Sequence, residues 1–520
     1  MRSRGLALAT VAATVIAAAS VGAALAPSSP RPTPSPTASP TIVRIVAFSD
    51  YHSHAVPFFS EGRPGQAGIA RAVAFLKEQR RRPNTIVVSG GDMVNRGSPL
   101  WSDVYGCIEW RWLAGLVDVW ALGNHELDYG PEAFAACRAA SQAPVLSGNL
   151  VDASGAPVLT AGGKPFLIKT VGGVRIGLFA VGGPDMARLV KPENMPAGTH
   201  WVDPVPVARR IVEQLRAQTD AVVFIGHQAR EDDEAMVAAV EGINVVLGTH
   251  SHYKGEGAIL ARRALFLSPY QYLTYVTVVD LEFRDGKLTG SKGWLAPMDS
   301  DQAEDPAVAA EVARLQRELV AAHPDRFRVV GRTVRGLSDE GVSSGESVIG
   351  NWATEVLRRA AGTQAYLATA SSFRGGLPAG EVTLEDFYAA IPYTNRVVVA
   401  ELTGRQVADL VAASVSRAGS DGFSQQSGLR YRLADGRPTD IQVLRDAARP
   451  EDGYAPLLPE SRYRVGTSDY QAKIASGYKD LFAAAGAGTP TEIDAQRALL
   501  DDLARAPAEA TRDGRSGATR

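Results

Sequence analysis

Short β-branched runs alternate with stretches of helical spacing through most of the chain's first half. The runs TIVRIVAF (41–48), NTIVVSG (84–90), VDVWALG (117–123), VRIGLFAVG (174–182), DAVVFIG (220–226) and INVVLGT (243–249) read as strands. Between them, GIARAVAFLKEQRRR (68–82), PEAFAACRAA (131–140) and VPVARRIVEQLRAQ (205–218) place apolar residues at intervals of three and four. That alternation predicts an α/β domain over residues 42–300. A polar, Ala-rich stretch, DQAEDPAVAAEVARLQRELVAA, then predicts a connecting helix within 301–325. A second, smaller α/β unit is expected over 326–502, with strands at YRLADG and YRVGTSD and helices at ESVIGNWATEVLRRAA and GRQVADLVAASVSRA. Residues 503–520 carry no periodicity and are expected to be disordered.

The N-terminus follows different rules. Arg2 and Arg4 precede an Ala/Val/Leu-rich run that ends at Ala26, the pattern of an export signal over residues 1–26. Residues 27–41, rich in Pro, Ser and Thr, read as a disordered tether. A periplasmic, cell-wall-associated or extracellular protein is therefore expected. No other long apolar run occurs, so no stable membrane insertion is expected once the signal is removed. With 520 residues and a formal charge of −2, the chain suits two or three domains and lacks the basic field that a nucleic-acid polymer would require. The two cysteines, Cys107 and Cys137, permit either a disulfide or two buried thiols. Their positions beside the loops that follow two neighbouring strands favour the bridge.

Candidate chemistry collects where the strands end. AFSDYHSH supplies Asp50 and His52, two apart and so on one face of an extended chain. SGGDMV supplies Asp92, LGNHELDYG supplies Asn124 and His125, FIGHQAR supplies His227, and LGTHSH supplies His250 and His252. A single such block is an ordinary polar turn or a satisfied histidine. Repeated at successive strand ends, where open α/β sheets collect their ligands, the blocks point to one site. Imidazole and carboxylate donors without thiolate suit catalytic Zn, Mn, Fe or Co. The set is too large for one ion and sufficient for two.

The ordered motifs D-x-H, G-D, G-N-H-E, G-H and G-x-H-x-H resemble those of the binuclear metallophosphoesterases of the calcineurin type. Asp128 and the second domain narrow the resemblance to the exported 5′-nucleotidase / UDP-sugar hydrolase family. It implies a four-layer α/β/β/α sandwich followed by a smaller α/β substrate-binding domain, and two divalent metal ions as cofactors. By resemblance, Asp50, His52 and His252 hold one ion, Asn124, His227 and His250 hold the other, and Asp92 bridges them. His125 and Asp128 correspond to a catalytic dyad, and Glu126 to a structural neighbour. His54, His200 and His323 receive no role.

In the second half, IPYTN resembles the block in which the family carries one of two aromatic rings that stack a nucleobase, giving Tyr393 with Asn395 beside it. GFSQQSGLRY resembles a neighbouring block, and SDYQAKIASGY offers Tyr478 as the second ring. Two departures stand out. Gly345 occupies a place the family usually gives to Arg, and ASSFRGGLP replaces N-x-G-G-I-R, so Arg374 is expected to supply the missing charge from a shifted position. The resemblance implies hydrolysis of nucleoside monophosphates. The wording SSFRGG also resembles 2′,3′-cyclic-nucleotide phosphodiesterases with 3′-nucleotidase activity, and UDP-sugar hydrolysis belongs to the same family. A secreted, non-catalytic binding protein on the same scaffold fits poorly, because all seven ligand positions are filled.

Overall fold

The computed structural model describes residues 39–486 and 488–515. The expected export signal and the tether up to residue 38 lie outside the described residues. The six expected strand runs form, as β1 (Thr41–Phe48), β2 (Thr85–Ser89), β3 (Val119–Ala121), β5 (Val174–Gly182), β6 (Ala221–His227) and β7 (Val245–Gly248). Four strands that the pattern does not mark join them: β4 (Val145–Val151), β8 (Leu265–Pro269), β9 (Tyr275–Arg284) and β10 (Lys287–Pro297). One eight-stranded sheet orders His200–Trp201, β4, β3, β2, β1, β9 and β10, with Pro157–Leu159 paired to β4. A six-stranded sheet orders Lys254–Ile259, β8, β7, β6, β5 and Phe166–Val171. Each sheet has a centre of four parallel strands, β1 to β4 in one and β5 to β8 in the other.

Period-two patterning builds the layers. In β1, Val43, Ile45 and Ala47 join Val223 and Ile225 of β6 in the core between the sheets. The alternate residues Val46 and Phe48 face a helical layer with Ile69, Val73 and Leu76, while Val222 and Phe224 face another with Val207, Ile211 and Val237. The result is the expected α/β/β/α sandwich. Because both sheet faces are covered, the central strands are apolar on both sides, and β-branched runs dominate them.

The connecting helix is shorter than expected and is not a free spacer. It runs Pro306–Ala322, because Asp305 caps it by accepting from the backbone N–H groups of Ala307 and Val308, and Pro306 opens its first turn. Val308, Val312, Leu315 and Leu319 bury its apolar stripe in the same core as the helix Ile69–Arg80.

The second domain centres on a five-stranded sheet, in the order Ser424–Ser427, Ala365–Thr369, Arg462–Ser468, Arg396–Thr403, Thr489–Asp494. The helices Val348–Ala361 and Ala495–Arg505 cover one face, and Gly404–Val415 and Lys479–Ala484 the other. The expected disorder from residue 503 is corrected over the described residues: helix continues to Arg505 and the chain stays anchored to residue 515. Glu346 accepts the backbone N–H groups of Asp513 and Gly514, and Asn351 donates to the carbonyl of Thr511. These are long-range partners that a scan for local periodicity does not register.

Cys107 and Cys137 form a disulfide, with Cα atoms 5.5 Å apart and a sequence separation of 30. In the chain-entropy model a closed loop of this length stabilises by about 3–4 kcal/mol. Close to it, Glu109 is fully buried; Tyr51 donates to Oε1 at 3.0 Å and Oε2 has no partner. Burial pushes its carboxyl up to about 7. The fold therefore holds a proton that the unfolded chain releases near pH 4.5, and this contribution to stability is lost as pH rises from there through about 7. Glu109→Gln should thus melt higher than the parent at pH 8, by a margin that vanishes at pH 4. Scanning calorimetry on the chelated protein at both pH values checks this, and a margin independent of pH would contradict it.

Candidate active site

The carboxyl ends of β1, β2, β3, β6 and β7 meet at one edge of the sandwich, and the chain turns there through strained backbone. Asp50, His52, Asp92, His250 and His252 have φ of 51°, 46°, 54°, 66° and 49°. Left-handed conformations at non-glycine residues cost on the order of 1–3 kcal/mol each and persist only where neighbours over-determine them. Here the neighbours are backbone and side chain together. Asp50 N–H donates to Gly91 O at 3.0 Å, His52 N–H to Asp92 O at 3.0 Å, and His250 N–H to Asp50 Oδ1 at 3.0 Å.

Glu126 ties the β2 and β3 loops together. Its carboxylate accepts from Asp92 N–H at 2.9 Å, Met93 N–H at 2.7 Å and Gly123 N–H at 2.7 Å. Gly123 is required by close approach, since a Cβ there would lie 2.1 Å from Asp92 Oδ1. Burial and then the charge of Asp92 push the Glu126 carboxyl up to about 7.

Six of the seven residues expected to hold metal come together in three overlapping clusters, and Asn124 joins them through His227. Asp50, His52 and His252 bring ligand atoms within 4.8 Å of one another, and so do Asp92, His227 and His250. A third cluster joins His52, Asp92 and His125 within the same limit, so His52 and Asp92 link the first two. His52 Nε2 and His252 Nε2 face each other at 3.0 Å. Asp92 Oδ2 lies 3.2 Å from His227 Nε2 and 3.8 Å from His52 Nε2, and Asn124 Oδ1 lies 3.3 Å from His227 Nε2. His227 Nδ1 approaches the Gly90 carbonyl at 2.8 Å, which directs Nε2 inward.

The electrostatics of the pocket are those of a cation site. Burial holds His52 and His252 far below the usual imidazole range and raises Asp50 to about 6. Burial opposes ionisation of Asp92 as well, but His227 and His125 outweigh it and hold this carboxyl well below its usual range. Buried carboxylates interleaved with imidazole nitrogens fit divalent cations by the chemistry of the donor set.

His125 stands beside this cluster. Its Nδ1 lies 2.8 Å from Asp128 Oδ2, and its ring packs edge-on to His52 at 4.8 Å. Burial lowers its basicity, yet Asp92 and then Asp128 raise it to about 9. A cavity of about 410 Å3 runs from His52, His125 and Asp128 to Arg374, Tyr388 and Tyr393 of the second domain.

Arg374 reaches across the domains. Its guanidinium donates to Tyr393 Oη at 2.9 Å and lies 2.5 Å from His252 Nδ1 and 3.3 Å from Asp421 Oδ2. Tyr393 is 42% exposed at the cavity rim. Asn395 sits beside it, half-buried, its carbonyl accepting from Ala495 N–H.

Tyr478 is not in this cavity, and its expected pocket role is corrected. It is fully buried in the core with Val407 and Phe482, where Ser424 Oγ donates to its hydroxyl at 3.0 Å and it donates to Gly422 O at 2.8 Å. The exposed ring of the same stretch is Tyr470, 37% exposed. Burial and then Asp421 and Tyr393 raise its hydroxyl above the usual range. Two tyrosines eight residues apart look alike in sequence, and only tertiary packing separates them.

Two further residues escaped the sequence. Tyr272, itself at φ 59°, packs edge-on to His52 and His252 and stacks on His54 at 3.7 Å. Nothing in SPYQYLTY announces that placement. Asp185 approaches His250 from the end of β5, and here a signal exists: the G-G-P-D turn after β5 repeats the G-G-D of the Asp92 block.

Two family models match the chain in order. Residues 43–254 match the calcineurin-like phosphoesterases, and residues 328–484 match the 5′-nucleotidase C-terminal domain. The trifunctional nucleotide phosphoesterase protein YfkN of Bacillus subtilis is 24% identical over 463 residues, of which the match covers 79% of this chain and 31% of that protein. A probable 5′-nucleotidase of Treponema pallidum is 23% identical over 526 residues, covering 84% of this chain and 87% of the relative. Among solved structures, a 5′-nucleotidase precursor from Thermus thermophilus aligns with a TM-score of 0.67 and 26% identity, over 91% of this chain and 99% of that one. With both halves matched in this order, the chain belongs to the 5′-nucleotidase family and is a metallophosphoesterase, a hydrolase of phosphoric esters.

Proposed function

We propose that the chain is an exported enzyme that uses two divalent metal ions to hydrolyse nucleoside monophosphates to nucleoside and phosphate. The observation that carries this reading is the single cavity joining the ligand cluster to Tyr393 and Arg374 of the second domain. In it, Asp50, His52 and His252 would hold one ion, Asn124, His227 and His250 the other, and Asp92 both. Bound there, the pair supplies positive charge that neutralises phosphoryl oxygens and aligns an in-line displacement. His125, held by Asp128, faces the same space and is placed to stabilise the transferring phosphoryl or to protonate the leaving oxygen. Arg374 adds a fixed cation opposite the ions. Tyr393 and Tyr470 offer rings for the base, with Asn395 alongside. The division into a catalytic domain, residues 42–300 with the helix Pro306–Ala322 packed on it, and a substrate-binding domain from 326 follows from this split of tasks.

Export is supported by Arg2, Arg4 and the apolar run that follows them, and by a disulfide of the kind that persists in oxidising compartments. Among the described residues, no helix is long and apolar enough to cross a membrane.

Chelation should abolish hydrolysis, and Mn, Co, Zn or Fe should restore it. His125→Ala should retain its metal yet lose about a hundredfold or more in kcat. Unaltered turnover in that variant would remove His125 from the mechanism. AMP, 2′,3′-cyclic AMP and UDP-glucose assayed side by side should show the greatest kcat/KM for AMP. A preference for either of the others would transfer the assignment to a cyclic phosphodiesterase or a sugar-nucleotide hydrolase.

The aromatic subsite makes a separate prediction. Stacking contributes about 1–3 kcal/mol per base. Tyr393→Ala and Tyr470→Ala should therefore raise KM for AMP by roughly tenfold to a hundredfold while leaving p-nitrophenyl phosphate almost untouched. Tyr478→Phe should leave both KM values alone and lower stability by about 1 kcal/mol, from its two lost hydrogen bonds. A raised KM in Tyr478→Phe would return that residue to the pocket.

A further inference from the structure

One strand end at the site has no assigned residue. β5 lies beside β6 in parallel, with Gly182 opposite His227, so both strands deliver their following turns to the same edge. The turn after β5 reads G-G-P-D, and Asp185 Oδ2 lies 3.4 Å from His250 Nε2. Among the described residues His250 is the sole ion-pair partner of this carboxylate. Asp185 has an ordinary alternative role available, as cap of the short helix Met186–Leu189, but its side chain makes no capping hydrogen bond. Its other oxygen, Oδ1, is buried without a partner. The oxygen occupies space that only glycine leaves open, since a Cβ at Gly183 would lie 2.8 Å from it. The carboxylate is therefore built into the turn rather than hung on the surface.

His250 is held on two other sides. Its backbone N–H donates to Asp50 Oδ1 at 3.0 Å, and its ring centroid lies 4.9 Å from that of His227. With Nε2 turned to Asp185, Nδ1 is the nitrogen left for the cluster with Asp92 and His227. A ligating imidazole needs its second nitrogen anchored, because that bond fixes the tautomer and the ring plane and raises the ligand's basicity. His227 finds its anchor in the Gly90 carbonyl. For His250 we propose that Asp185 is the positioning residue: it accepts the Nε2–H, fixes Nδ1 as the donor, and so sets the affinity of the ion shared by Asp92, Asn124, His227 and His250.

The inference rests on the two-ion reading given above, and metal uptake by the full chain separates the two. Chelated protein is titrated with Mn2+, free ion being followed by its paramagnetic resonance and bound ion by calorimetry. Wild type should take two ions per chain. Asp185→Ala should weaken one of them by roughly tenfold to a hundredfold and leave the other unchanged. Asp185→Asn keeps an acceptor of the same shape and should lose less. In the His250→Ala background, Asp185→Ala should add nothing further, because its partner is already gone. The melting temperature of the chelated variants checks folding, and if the alanine variant melts lower, the asparagine variant decides. Two ions of unchanged affinity in Asp185→Ala, or full additivity with His250→Ala, would overturn this role alone. A wild type that takes a single ion would overturn the two-ion reading and this inference with it.

Discussion

Buried like polarity is the constraint on which this molecule turns. Asp50 and Asp92 are sealed from solvent among the imidazoles of His52, His227 and His252, and the Nε2 atoms of His52 and His252 lie 3.0 Å apart. Burying carboxylates is costly; His227 and His125 offset that cost for Asp92, while burial still raises Asp50 to about 6. Among the described residues, the Arg374 guanidinium approaches the cluster at its border, 2.5 Å from His252 Nδ1. Divalent cations resolve the conflict at a stroke. The strained φ angles, the Glu126 tie between loops and the glycine cradles read as the structure needed to hold such an arrangement before its counter-charge arrives.

The sandwich explains how that strain is afforded. Two sheets with parallel centres direct their strand ends to one edge, and both sheets are buried on both faces, so the loops spring from rigid ground. The second domain then lends the site residues that the first lacks. Arg374 crosses to His252, while Arg326, just beyond the connecting helix, donates to Gly97 O and Ser98 Oγ. A helix packed into the first domain thus carries the chain to a neighbour that closes over the strand ends.

Much of this was legible in the sequence because its cause is local. Period-two runs announce β1, β2, β5 and β6, and polar residues at their ends announce Asp50, Asp92 and His227. What stayed hidden depends on contacts far apart in the chain. Glu346 anchors the tail from more than 160 residues away. Tyr470 and Tyr478 share a stretch, yet one is exposed and the other fills the core. Asp185 lay behind a turn that resembles the Asp92 block, but its meaning depends on β5 lying beside β6. The Ala-rich pattern announces a helix after residue 300; its capped start at Asp305 and its buried stripe depend on packing against the first domain.

The central claim is that the strand-end cluster holds two ions bridged by Asp92, and anomalous scattering tests it most directly. A crystal grown with Mn2+ and measured on both sides of the manganese edge should show two peaks about 3.5–4 Å apart. One peak should lie among Asp50, His52 and His252, the other among Asn124, His227 and His250, with Asp92 reaching both. A single peak, or two peaks of which neither touches Asp92, would contradict it.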